Sequence, residues 1–273
     1  MVALTSRGQE LVIRTQGGVG LLNWHTLSGP DRVIVELGAV QAAPAPPELV
    51  ERAGPRPIVI DPGHGGSDTG ATSASGTVEK DLVLSVARRL ASALASQGHT
   101  VRLTRPGDEA RGLTDRTAQA NRVDAVAFVS LHANASTVVS VQGAETYYMS
   151  LDDRSTDEHA AATAEFENLA DSGSGQSELD LILWDLAQAE VLNESAELAL
   201  AVQNRLNERL GLKDRGVKQA PFAVLTGATM PAILVEIGFL SNPAEAQQLE
   251  SADHQQRLAE ALALGIDDFV RSR

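Results

Sequence analysis

Across 273 residues the chain carries 36 acidic against 22 basic side chains, a net charge of −14 that would repel a nucleic-acid backbone and oppose nonspecific binding to anionic lipid. Cysteine is absent, which removes disulfides and thiolate metal sites and leaves His, Asp and Glu as metal-ligating side chains. With 43% hydrophobic residues the chain can bury one core of about 200 residues and a smaller module beside it.

Residues 1–40 predict a small β module. QELVIRT and DRVIVEL are short runs rich in β-branched residues, separated by GGVGLLNW, which reads as a glycine-bearing turn stretch. Residues 41–56 form a Pro/Ala-rich linker, since Pro44, Pro46, Pro47 and Pro55 sustain neither helix nor central strand. From residue 57 to 273 strands and helices alternate, which predicts an α/β domain with a mixed, mostly parallel sheet flanked by helices. PIVIDPGHGG is a buried strand ending in a glycine-rich loop. KDLVLSVARRLASALASQG repeats apolar residues at Leu82, Val86, Leu90 and Leu94, the spacing of a helix, and stops at Gly98. HTVRLTR, DAVAFVSLHAN, GAETYYMS and PAILVEIGF are further strands. LTDRTAQANRV, a long stretch from about Leu179 to Leu210, and HQQRLAEALALGIDDFV are further helices. No run reaches about 18 consecutive apolar residues, so no transmembrane segment is predicted.

Two histidines fall at strand ends. His64 in DPGHGG and His132 in SLHAN both lie where the carboxyl ends of parallel strands open a ligand crevice, so they can converge across the 68 residues between them. Glu79, at the entrance of the first helix, faces the same edge. Two imidazoles and a carboxylate are a donor set typical of catalytic zinc, with a fourth position open. Hydrolysis at such a site also needs a proton shuttle, and Glu236 in ILVEIGFLSN, a carboxylate expected at the end of an apolar strand where packing gives no reason for it, suits that role. The glycine-rich loop fails as a nucleotide site: a dinucleotide fingerprint starting at Gly63 would need glycine where Asp68 stands, and no GK[ST] follows. His25, His99, His159 and His254 lie outside any such constellation and read as surface or packing residues.

DPGHGG, Glu79, SLHAN and VEIGFLSN stand in the order found in zinc-dependent N-acetylmuramoyl-L-alanine amidases of the Amidase_3 type. The resemblance spans roughly residues 57–270 and takes in LTDRTAQAN, LILWDLAQ and RGVKQAPFAVL. It implies a zinc ion (Zn2+) held by His64, Glu79 and His132, with Glu236 as catalytic residue. The implied reaction cleaves the amide between the lactyl group of N-acetylmuramic acid and the first L-alanine of the peptidoglycan stem, in cell-wall remodelling and daughter-cell separation. It further implies a periplasmic or cell-wall-associated, exported protein. MVALTSRGQE has no signal-peptide character, so the export signal is expected outside the given chain. A LytM-type activator or another division protein is the implied partner besides peptidoglycan, and the module at 1–40 resembles part of an AMIN-type wall-targeting domain.

Asn134, Arg215 and Lys218 are candidates for binding substrate, and Asn242 for orienting it or stabilising a turn. Residues 150–176 follow the TYY strand, are rich in Asp, Glu, Ser and Ala, and end in GSG. They predict an exposed helix between flexible hinges, from which Glu158, Glu165 or Glu167 could reach the cation and hold the enzyme idle. The rival reading is a catalytically silent module that grips the cell wall, for which Glu236 would have no chemical use.

Overall fold

In the computed structural model the chain divides into two units, Met1–Gly54 and Pro55–Arg273. The structure describes the strand backbone within residues 2–39 and then residues 55–150, 157–169, 178–211 and 213–273, with side chains described from residue 55 onward except 178–190. In the first unit β1 (Val2–Arg7) pairs antiparallel with β2 (Glu10–Thr15), and β3 (Val19–Leu27) with β4 (Arg32–Ala39). The expected turn stretch GGVGLLNW thus supplies most of β3. Its Val, Leu and Trp residues favour a pleated strand strongly enough to outweigh Gly20. His25 and the linker at 41–54 lie outside the described side chains and residues, respectively.

The second unit is built on a six-stranded sheet. Its elements are β5 (Ile58–Pro62), α1 (Glu79–Ser96), β6 (Val101–Leu103), α2 (Leu113–Arg122), β7 (Ala127–Asn134), β8 (Ala144–Met149), α3 (Glu158–Asn168), α4 (Glu178–Leu210), β9 (Asp214–Ala220), β10 (Ala232–Phe239), α5 (Pro243–Glu250) and α6 (Ala252–Arg271). The strand order is β6-β5-β7-β10-β8-β9. β5, β6, β7 and β10 run parallel, β8 runs antiparallel to β10, and β9 runs parallel to β8. The sheet is therefore mixed and mostly parallel, as the alternating pattern predicts. β9 and α5 were not anticipated: DRGVKQA is too polar to read as a strand, and α5 is a single short helix capped by Asn242, whose side chain accepts from the backbone of Ala244 and Glu245. Asn242 is thus engaged in a turn. No helix among the described residues is long and apolar enough to cross a membrane.

β7 and β10 are buried along their whole length, as central strands covered on both faces must be. Their alternate residues separate two surfaces. Ala127, Val129, Leu131 and Ala133 of β7, with Ile233, Val235 and Ile237 of β10, pack toward α1, α4 and α6. Along α1 the buried residues Leu82, Val86, Leu90 and Leu94 form one stripe, each leucine contributing roughly 1.5–3 kcal/mol by burial. The opposite face begins apolar, with Val59, Phe128 and Leu234, and turns polar toward the carboxyl ends: Asp61 on β5, Ser130, His132 and Asn134 on β7, and Glu236 on β10. That polar end of one sheet face, beneath α2 and α3, is where the chemistry gathers.

Candidate metal centre

His64 leaves β5 on a tightly held loop. Its φ is +57°, a left-handed conformation uncommon for a side-chain-bearing residue. Two buried arginines hold it there. Arg116 of α2 donates to the Asp61 carboxylate at 2.8 Å, to the Pro62 carbonyl at 2.8 Å and to the His64 carbonyl at 2.8 Å. Arg105 donates to the Pro62 carbonyl at 2.9 Å and the Gly63 carbonyl at 2.7 Å. With three successive carbonyls drawn down onto guanidinium groups, the imidazole is turned up into the site. Burial alone would raise the pKa of Asp61, but Arg116 and hydrogen bonds from Thr104 and Ser130 hold it below the usual carboxylate value.

Two glycines clear the space. A Cβ at Gly63 would lie 2.3 Å from Cε1 of His132, and one at Gly70 would lie 2.5 Å from Glu79 Oε2 and 2.6 Å from His64 Cδ2, with φ already at +62°. The ligand-bearing side chains fill the volumes that any larger residue would take.

Glu79 is the first residue of α1 and fully buried. Its Oε2 accepts from the Ala71 amide at 2.8 Å and its Oε1 from the Ala133 amide at 2.8 Å. Oε1 also lies 3.1 Å from His64 Nε2 and 3.2 Å from His132 Nδ1. Glu167 of α3 completes the group, its Oε2 3.4 Å from His64 Nε2 and 2.8 Å from His132 Nδ1. One ligand atom from each of His64, Glu79, His132 and Glu167 falls within 4.8 Å of the others. His64 Nε2, His132 Nδ1 and Glu167 Oε2 are buried and form no hydrogen bond despite this closeness. Such atoms, aimed at one point rather than at each other, fit a cation between them.

The electrostatics agree with that fit. Burial opposes charge on both imidazoles, yet Glu167 and Glu79 raise His64 to about 10 and His132 well above its ordinary value. Burial would likewise neutralise Glu79, but the two histidines hold it well below the usual carboxylate range. The two carboxylates thus require positive charge beside them, supplied in the free protein by imidazole protons and equally by a dication.

Glu236 sits opposite His132 of β7 on one side and Glu145 of β8 on the other. It is fully buried, and both its oxygens lack hydrogen-bond partners among the described residues. Burial and the neighbouring carboxylate of Glu167 push its pKa well above the ordinary value. It lies in mid-strand, before a register shift toward Phe239, rather than at the strand end expected from the sequence.

The remaining expected residues divide. Asn134, Arg215 and Lys218 all reach one side chain, Glu145, at 3.2, 3.0 and 3.0 Å. Glu145 was not singled out from the sequence, nor was His159, whose Nε2 lies 3.2 Å from Glu145 Oε1; His159 belongs to the site rather than to the general surface. Asp68 was also missed as a site residue, although its carboxylate is 2.8 Å from His64 Nδ1; its position four residues on within a glycine-rich loop was the available signal. His99 pairs with Asp267, and the buried His254 approaches Arg257. Of the three glutamates considered for regulation, Glu158 and Glu165 are exposed and only Glu167 enters the cluster. α3 is not the freely exposed helix expected: Ala160, Thr163, Ala164 and Glu167 are buried against the sheet. The hinge stretches 151–156 and 170–177 lie outside the described residues.

A buried set of histidines and carboxylates that could hold a metal ion, at the carboxyl edge of a mostly parallel sheet and with an unpartnered acid beside it, defines an α/β domain equipped for hydrolytic chemistry. Residues 58–268 match the Amidase_3 model, described as N-acetylmuramoyl-L-alanine amidase, and the chain belongs to this family. It is 34% identical over 274 residues to the N-acetylmuramoyl-L-alanine amidase AmiA of Escherichia coli, covering 97% of this chain and 92% of that protein. It is 37% identical over 227 residues to AmiC of Neisseria meningitidis, covering 81% of this chain and 54% of that one. Among solved structures, the amidase of Clostridium difficile 630 matches with a TM-score of 0.63 at 31% identity, over 80% of this chain and 98% of that chain. AmiC2 of Nostoc punctiforme matches with a TM-score of 0.61 at 32% identity, over 80% and 98%.

Proposed function

We propose that the chain hydrolyses the amide between N-acetylmuramic acid and L-alanine in peptidoglycan, with zinc held by His64, Glu79 and His132. The observation that carries the reading is the convergence of buried, unbonded ligand atoms beside the orphaned Glu236. Zinc bound there supplies Lewis acidity toward the scissile carbonyl and the attacking water. Glu79, anchored by two backbone amides, holds the ligand set rigid. Glu236 takes the proton from the attacking water and returns it to the departing alanine nitrogen as the C–N bond breaks. The test is metal content by elemental analysis together with release of alanine-ended peptides from purified peptidoglycan. His64→Ala and His132→Ala should lose both, whereas full zinc occupancy in both variants would overturn the ligand assignment.

A second reading concerns regulation and rests on Glu167. Its carboxylate lies 2.8 Å from His132 Nδ1, within reach of the fourth position of a bound metal, and on this reading α3 holds the enzyme idle until a partner of LytM type or another division protein draws it off. Replacing residues 153–173 with a short Gly/Ser linker should raise the initial rate on peptidoglycan about tenfold or more, which is roughly 1.4 kcal/mol. An unchanged rate in a folded, zinc-loaded variant would sink it. Export to the periplasm or cell wall, and wall targeting by the N-terminal unit, belong to the same proposal. Both are tested by fractionation and by pull-down with purified sacculi, with and without residues 1–54.

A further inference from the structure

α3 lies along a row of site residues in strict order. Asp157, the residue capping it, is 3.3 Å from Lys218 on β9. His159 reaches Glu145 on β8 and stacks on Phe239 of β10. Thr163 is 3.4 Å from the Asn134 amide of β7, and Glu167 meets His132 and His64. Ten helical residues from Asp157 to Glu167 rise about 15 Å, and the three strand spacings from β7 through β10 and β8 to β9 add to about 14 Å. The helix therefore traces a groove that crosses the sheet from the metal centre to Lys218.

The far end of that groove is a built site. The fully buried Glu145 carboxylate holds both the Lys218 ammonium and the Arg215 guanidinium at 3.0 Å, and Arg215 lies 5.1 Å from the Phe239 ring centroid. Lys218 is only 16% exposed, and it carries a second carboxylate, that of Asp157. Glu145 and Asp157 balance the two cations while α3 is docked, and departure of Asp157 with the helix leaves Lys218 and Arg215 sharing the one buried acid.

The geometry points to a second subsite for the substrate: Lys218, braced by Glu145, binds a peptide carboxylate four to five residues from the bond being cut. An extended chain rises about 3.3 Å per residue, so about 15 Å corresponds to that length. Asp157 and Glu167 then occupy the two ends of the path that an acidic stem peptide would follow. The inference rests on the amidase reading for which end is cut, but not for the binding of the peptide.

The test uses the full chain carrying Glu167→Ala, zinc-loaded, with soluble N-acetylmuramoyl-dipeptide, N-acetylmuramoyl-pentapeptide and the pentapeptide with its carboxylates amidated. The free pentapeptide should show kcat/KM about tenfold or more above the dipeptide and the amidated form, through KM, as expected for one charge-assisted contact. Lys218→Met should lower kcat/KM for the free pentapeptide far more than for the dipeptide and so erase that advantage, and Lys218→Arg should restore most of it. Asp157→Asn, which keeps the capping oxygen and removes the competing charge, should lower KM for the free pentapeptide alone. Calorimetry with the free acidic pentapeptide on the same proteins provides a readout independent of hydrolysis. If nothing is cleaved but the peptide binds and Lys218→Met abolishes binding, the amidase reading fails and the subsite stands. Equal losses on short and long substrates, no preference for length or charge, or peptide binding indifferent to Lys218→Met would overturn the subsite.

Discussion

Asp68 Oδ2 lies 2.8 Å from Nδ1 of His64, the ring nitrogen turned away from Glu79 and Glu167. Accepting the Nδ1 proton fixes the tautomer and leaves the Nε2 lone pair facing the site. Asp68 is itself held by the Gly70 amide at 3.1 Å. Asp68→Ala should weaken metal binding by about 10–100-fold with the fold unchanged. Competition titration against a chelator checks this, and an unaltered affinity would remove Asp68 from the metal centre.

Glu236 should separate chemistry from binding. Because it stands apart from the four converging ligand atoms, Glu236→Gln should retain full metal occupancy. Hydrolysis should fall by about 10²–10⁴-fold, the usual contribution of a general acid–base group. Near wild-type turnover in single-turnover assays would exclude it from proton transfer.

Arg116 and Asp61 tie stability to pH. The folded pKa of Asp61 is lowered, so its contribution is fully present above the unfolded value near 3.8 and is lost as pH falls through the folded value. Asp61→Asn should flatten the stability profile below about pH 4. At neutral pH, Arg116→Met leaves the buried carboxylate unpaired and should cost about 3–5 kcal/mol in urea denaturation, with Arg116→Lys intermediate. Identical profiles for wild type and Asp61→Asn would show the pair to be inert.

The two glutamates of α3 offer an internal control. Glu167→Ala removes the carboxylate 2.8 Å from His132 and should raise the rate on peptidoglycan about tenfold. Glu165→Ala, altering an exposed residue two positions away on the opposite face of α3, should leave it unchanged. Equal rates for both variants and wild type would show that α3 does not restrain the enzyme.

The sequence made the histidine–carboxylate cluster readable because its members sit beside unmistakable punctuation: glycines around His64, and the switch from apolar to polar at alternate positions in AFVSLHAN. Glu236 stood out as a carboxylate in an otherwise apolar strand. Glu145 did not, because GAETYYMS is short and its neighbours are mixed, and its meaning comes from Arg215 and Lys218 some 70 residues later on a strand too polar to recognise. His159 was hidden, and Glu167 could not be told apart from Glu158 and Glu165, for a related reason. Their roles depend on where α3 docks, which a helix of weak amphipathic character does not declare. Asp68 was passed over as a mere departure from a glycine fingerprint.

The face by which α3 meets the sheet is made of small side chains, Ala160, Thr163 and Ala164, while Phe166 and Leu169 point outward at 48% and 70% exposure. Little apolar area is gained when it docks, so polar contacts supply much of its hold: Asp157 to Lys218, His159 to Glu145, Asn168 to the backbone of Pro221 and Ala223, and Glu167 to His132. Linkage then runs in both directions: whatever metal gives to the docking of α3, α3 returns to the retention of metal. On the proposed regulatory reading, drawing the helix off would therefore switch the enzyme on and loosen its metal in the same act. Activity and metal retention would draw on a single, shared free energy.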